Sequence, residues 1–163
     1  MANLSSLATS GVVNLLAAPS GVSFALNSAA QSLGSVPSIP LASLIPGNAS
    51  PDLLDQSAPV KYPIFAIYCE KLSNTLKEKY RTFSGTAQVV IEVRHSQDQV
   101  LTVQSVLDTY VSAVCQILDA SRGDWSNGLF YSGGYEVVYG PLKRGGLNFL
   151  QIAKVSLVLD ISA

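Results

Sequence analysis

Residues 86–118 read TAQVVIEVRHSQDQVLTVQSVLDTYVSAVCQIL, and they contain the two most regular hydrophobic patterns in the chain. Over 86–95 apolar and polar residues alternate, with Val89, Ile91 and Val93 on the apolar side. A period of two is typical of a β-strand that buries one face. We therefore predict a half-buried strand in this first part of the segment.

A long helix is predicted directly after that strand. The residues SQDQ at 96–99 have the form of a capping box, in which the Ser96 hydroxyl accepts from the backbone of Gln99 and the Gln99 side chain reaches back. Apolar residues then recur every three or four positions, as on one face of a helix. They are Val100, Val103, Leu107, Tyr110, Val111, Val114 and Leu118. The pair Arg122-Gly123 predicts the end of the helix.

Strands are predicted on both sides of this segment. Residues 62–71 (YPIFAIYCEK) are rich in β-branched and aromatic side chains, which favour a strand. The charged stretch 72–82 could hold a short helix or a long hairpin excursion. A strand over 135–139, a turn and a final strand over 147–161 follow a loop centred on 124–128. The predicted class is α+β, with a largely antiparallel β-β-α-β-β sheet packed with one long helix.

The beginning of the chain carries no charge. Residues 1–51 contain no Asp, Glu, Lys, Arg or His, and Asp52 is the first charged residue in a chain with 10 Lys+Arg and 11 Asp+Glu. Because exposed surfaces of soluble proteins usually carry charge, we expect this region to be covered, by its own domain or by neighbouring chains. Polar residues and proline interrupt every window long enough for a membrane span, so no membrane contact is predicted.

The uncharged region divides into two parts. Helical spacing runs from residue 4 to 33 and is interrupted at 19–21. Within this break, Ser20 can cap the start of a second helix, and Gly34 can end that helix. The five prolines within 35–59 predict an extended arm. We therefore divide the chain into residues 1–59, a helix plus arm, and residues 60–163, an α+β core domain.

Candidate interface residues follow from these patterns. Most are apolar residues of the uncharged helix and arm, and one is the only tryptophan, in a polar loop, where it either anchors the loop or meets a partner. The set is Leu4, Val22, Leu26, Leu33, Ile39, Leu44, Ile45, Leu53, Leu54 and Trp125.

Catalytic and metal-binding patterns are absent from the sequence. His95 is the only histidine, so paired-histidine metal spacing cannot occur, and no nucleophile motif accompanies it. Cys69 and Cys115 are predicted to be free thiols. The glycine pairs 133–134 and 145–146 lack the spacing of phosphate loops and predict hairpin turns. We expect no enzymatic activity, no cofactor and no metal.

Basic residues group in two predicted loops. The formal net charge of −1 gives no general attraction to nucleic acid. Locally, however, the two loops could line a surface that meets DNA or an acidic partner, or could be solvated loop tips. These residues are Lys77, Lys79 and Arg81 in one loop and Lys143 and Arg144 in the other.

The predicted order of elements over 86–163, preceded by the strand YPIFAIY, resembles that of the tail terminator or tail completion proteins of tailed bacteriophages. The resemblance covers about two thirds of the chain and consists of pattern, not of a diagnostic motif. It implies a structural protein that forms a homohexameric ring at the head–tail junction, or neck, and caps the tail tube. The implied partners are further copies and other virion proteins, such as tail tube, sheath or head–tail connector. The implied location is the virion, after assembly in the host cytoplasm.

Two other classes of function remain open from the sequence. One is another tube, shell or baseplate subunit that exchanges its arm with a neighbour. The other is a small-ligand-binding or enzymatic α+β domain with an N-terminal lid, which would need a pocket with converging titratable groups.

Overall fold

The computed structural model describes residues 3–20, 23–47, 62–145 and 148–163. The fold is α+β, as predicted, with a mixed and mostly antiparallel sheet on which one long helix packs. Its helices are α1 (Leu4–Ala17), α2 (Ala25–Leu33) and α3 (Val100–Asp119). Its strands are β1 (Pro19–Ser20), β2 (Ser23–Phe24), β3 (Leu44–Pro46), β4 (Ile64–Asn74), β5 (Ser84–Gln97), β6 (Gly123–Ser126), β7 (Leu129–Tyr139), β8 (Lys143–Gly145) and β9 (Asn148–Ser162).

The main sheet has the order β3-β4-β5-β9-β7-β6, and the short strand β8 also pairs with β9, outside this order. β3 pairs with β4 in parallel, and all other neighbours are antiparallel. The long strands β5 and β9 pair along their whole lengths and form the centre of the sheet. The separate two-stranded ribbon β1-β2 joins α1 to α2.

The hydrophobic core lies between the sheet and the helices. The apolar side of β5, with Val89, Ile91 and Val93, faces this core together with the alternate residues of β9 from Ala153 to Ile161. The predicted stripe of α3 is buried here from Val103 onward, so the long helix is confirmed. α3 is also long and apolar enough to cross a membrane by length and composition, a test that the core helix of a soluble protein also passes.

The uncharged N-terminal elements join the same core. α1 buries one residue per turn at a constant spacing of four, namely Leu4, Ala8, Val12 and Leu16. α2 buries Leu26 and Ala30 in the same core, and the segment after α2 buries Ile39 and Leu44 there. The core is therefore continuous across the predicted boundary at residue 59.

This packing corrects part of the interface prediction. Leu4, Leu26, Ile39 and Leu44 are covered by the chain's own elements, because the helices and β3 close over the apolar face of the sheet. Leu33 remains 47% exposed. Ile45 and Trp125 are half-buried. Val22, Leu53 and Leu54, and with them most of the predicted arm, lie outside the described residues.

Both predicted helix starts are wrong in detail. Ser96 and Gln97 continue β5 because their backbones pair with β9, so α3 begins after Gln99 without a side-chain cap. α2 begins at Ala25, since Ser23 and Phe24 form β2 and pair with Ser20 and Pro19 of β1. Gly34 ends α2 at φ −174°, an extended conformation and not the left-handed one expected of it.

The remaining differences concern strands. The stretch 72–82 is a hairpin excursion, which decides between the two alternatives left by the sequence. β6 lies in the predicted loop at 124–128, and β7 begins at Leu129 instead of residue 135. Gly133 does not form a turn: it lies at a register shift within β7, with φ +104°.

Candidate functional site

The second face of β5 carries a buried ion pair. Glu92 and Arg94 lie two residues apart on one strand, on the face that the alternation predicted to be solvated, yet both are almost fully buried. Arg94 Nε donates to Glu92 Oε1 at 3.1 Å, and the Tyr68 hydroxyl donates to Glu92 Oε2 at 3.1 Å. Burial, and then the Glu92 carboxylate, raise the pKa of Tyr68 to about 12. Each oxygen of Glu92 therefore accepts a hydrogen bond from a neighbouring strand residue.

A cavity of about 390 Å³ opens beside this ion pair. Glu92 lies at its wall, two lysines line it, and the rest of the lining is mostly apolar. Its lining is Glu92, Val138, Gly140, Pro141, Lys143, Leu150, Ile152 and Lys154. The one feature of the sequence that indicates this arrangement is the pair Glu-x-Arg, whose spacing of two puts both charges on one strand face.

His95 lies at the end of β5 on the opposite, helix-facing side. Its ring makes an edge contact with Tyr110 at 5.6 Å between centroids and is 3% exposed. Neither ring nitrogen has a hydrogen-bond partner within the described residues, and the same holds for the Oε1 atoms of Gln97 and Gln151. Burial lowers the pKa of His95. This geometry fits a structural role for His95.

We expect the stability of the chain to fall in mild acid because of His95. The unfolded state binds the proton near the ordinary histidine pKa of about 6.5, while the folded state resists it, so stability is lost as the pH falls through that value. Urea denaturation at about pH 7.5 and about pH 5 measures the loss, and His95→Phe, which keeps a ring against Tyr110, should show a smaller one. Equal losses in both proteins would contradict this assignment.

A row of tyrosine–aspartate hydrogen bonds joins α3 to β7. The Tyr139 hydroxyl donates to Asp108 at 2.8 Å, and the Tyr135 hydroxyl donates to Asp119 at 3.3 Å. Burial, followed by these hydrogen bonds, raises the pKa of each tyrosine to about 12. Cys115 lies between the two pairs, and burial raises the pKa of its thiol, which makes it a poor nucleophile at neutral pH.

The predicted basic loops are exposed and separate. Lys77 approaches Asp160 at 3.8 Å, and Arg81 approaches Glu78 at 3.4 Å, both at exposed positions where ion pairs stabilise little. Lys143 and Arg144 form β8 at the other end of β9. Because β9 runs between them, the structure does not bring the two loops together into one basic patch.

Trp125 anchors a turn instead of projecting outward. Its indole nitrogen donates to the carbonyl of Ser121 at 2.7 Å, and its ring packs on Tyr131. This geometry fits the loop-anchoring alternative. Among the described residues, no group of three or more His, Cys, Asp or Glu is arranged to hold a metal ion.

Two stretches of strand edge have no strand beside them within the described part of the chain. β6 covers β7 only from Leu129 to Tyr131, which leaves Ser132–Tyr139 open. On the opposite side, β3 covers β4 only from Phe65 to Ile67, which leaves Tyr68–Asn74 open. Open edges present unpaired backbone donors and acceptors and are ready to pair with another chain.

No protein-family model matches the sequence, and no curated protein matches it at a significant level. The order of the strands and the open edges of the sheet are therefore the basis for a functional proposal.

Proposed function

We propose that this chain is a structural protein of a tailed-phage virion, a tail terminator or tail completion protein that forms a ring at the head–tail junction. The observation that carries the proposal is the order of elements in the sheet. β4 and β5 form an antiparallel hairpin, α3 follows, and β7 and β9 form a second hairpin beside β5. This is the order on which the resemblance to that family rests.

The open sides of the sheet support a role in assembly. A contact between two different surfaces of identical subunits generates a ring when the rotation closes, and a filament when it does not. The sheet offers two such surfaces, one at β7 and one at β4. The proposal includes a ring of about six copies, with tail tube, sheath or connector proteins above and below it.

Electron microscopy of the purified protein tests this function. We expect negatively stained particles to be rings of about six copies, either alone or on the ends of added tail tubes. Mass photometry should give the corresponding mass. A chain that remains monomeric in both conditions would rule out the proposed role.

A further inference from the structure

We propose that the subunits of this assembly join by edge-to-edge strand pairing, with the open edge of β7 on one copy against the open edge of β4 on the next. This inference rests on the proposed function and specifies its contact. The partner is a second copy of this chain, and the contact is heterologous because the two edges differ.

The two open edges are similar in length. Ser132–Tyr139 of β7 has eight residues and Tyr68–Asn74 of β4 has seven. Both belong to one sheet and run in opposite directions within it, since an odd number of antiparallel steps separates them. If the sheet continues from one copy to the next, β7 and β4 therefore pair in antiparallel orientation.

The edges also match in their side chains. Val137 is opposite Val155, and Leu72 is opposite Ala87, so both lie on the helix-facing side of their sheets. Each lies within its open edge, and Leu72 is 40% exposed although it is a large apolar side chain. A register that places Val137 opposite Leu72 would remove both side chains from water, as apolar cross-strand pairs do.

Charge favours the same pairing. Glu136 of β7 and Lys71 of β4 lie on the same side of the sheet, opposite Ser156 and Gln88. A register with Val137 opposite Leu72 places these two unlike charges diagonally across the contact, whereas pairing two like edges through the same residues places like charges there.

The β7 edge is held in place before any partner binds. The hydroxyls of Tyr135 and Tyr139, both within the open stretch, are fixed to α3 by their hydrogen bonds to Asp119 and Asp108. A pre-organised edge loses less conformational freedom on association than a mobile one.

Disulfide trapping tests the contact. In a chain with Cys69→Ala and Cys115→Ala, we introduce Val137→Cys and Leu72→Cys, separately and together. Because opposed residues in antiparallel strands are close enough for a disulfide, the double variant should form a ladder of covalent oligomers under mild oxidation. A mixture of the two single variants should stop at a covalent dimer, and each single variant alone should stay uncrosslinked.

A charge placed on the edge gives the complementary test. Leu72→Lys should weaken self-association at least about tenfold, because a lysine in the middle of an edge opposes pairing. The control is Leu101→Lys, at a leucine on α3, outside both open strands, that is 80% exposed. Sedimentation velocity measures the self-association of both variants.

The outcomes separate this contact from the function. Rings that form normally with Leu72→Lys, together with no crosslinking in the double variant, would overturn the edge pairing and leave the proposed function intact. Crosslinking of either single variant with itself would overturn the heterologous arrangement. A parent chain that stays monomeric with and without tail tubes would overturn both proposals.

Discussion

A chain that lacks residues 1–47 is expected not to fold, although the sequence suggested that an N-terminal arm could be removed from an independent domain. The deletion removes α1, α2 and β3, and with them eight buried apolar residues of the one continuous core. Fully burying one large aliphatic side chain stabilises by about 1.5–3 kcal/mol, while a whole domain is stable by only about 5–15 kcal/mol. The apolar face of β4 and β5 would also be exposed to water.

Soluble expression and near-ultraviolet circular dichroism measure this result. We expect the truncated protein to aggregate or to lack fixed tertiary structure. If it folds cooperatively and only loses the ability to assemble, the first 47 residues are an assembly arm after all.

Two leucines of α2 give a matched comparison within the same region. Leu26 is fully buried, so Leu26→Ala should lower the free energy of unfolding by about 2–5 kcal/mol. Leu33 is half exposed at the end of the same helix, and Leu33→Ala should change it by less than about 1 kcal/mol. Urea denaturation of the full chain measures both, and similar losses would argue against the packing described for α2.

Replacing Arg94 by methionine is expected to lower the free energy of unfolding by about 3–5 kcal/mol. The substitution leaves the Glu92 carboxylate buried without its guanidinium, and a buried charge that loses its partner keeps its full desolvation cost. The Tyr68 hydroxyl remains as a donor but carries no charge. The loss should appear in urea denaturation at neutral pH.

Two further variants distinguish the buried pair from a general effect of charge. Arg81→Met removes a comparable ion pair with Glu78, but at exposed side chains, and should cost about 0–1 kcal/mol. The double variant Glu92→Met with Arg94→Met should be more stable than Arg94→Met alone, because no unpaired carboxylate remains. A double variant that is less stable than either single one would contradict this reading of the pair.

The elements that could be predicted from the sequence are those that bury one apolar face along a long stretch of chain. α3 and β9 were found within a few residues of their bounds, because their buried stripes repeat at 3.6 and at two residues over a long stretch. β6 was missed because it is four residues long and begins at a glycine with φ +119°, in a segment rich in turn residues. The capping box was predicted wrongly because pairing with β9, which is distant in the sequence, makes Ser96 part of a strand.

Much less of the candidate site could be predicted from the sequence. Alternation placed Glu92 and Arg94 on a solvated face, and nothing local indicates that this face is buried. The open edges of β4 and β7 likewise depend on which strands become neighbours, and strand order is a property of the whole sheet.

By itself the sequence determined the fold class, the long helix and the requirement that an uncharged N-terminal region be covered. Only the tertiary structure decided what covers its described part, which is the chain's own sheet and helix α3. The physical reason is that composition and periodicity show which surfaces must leave water, whereas the partner of each surface is chosen by contacts between residues far apart in the chain.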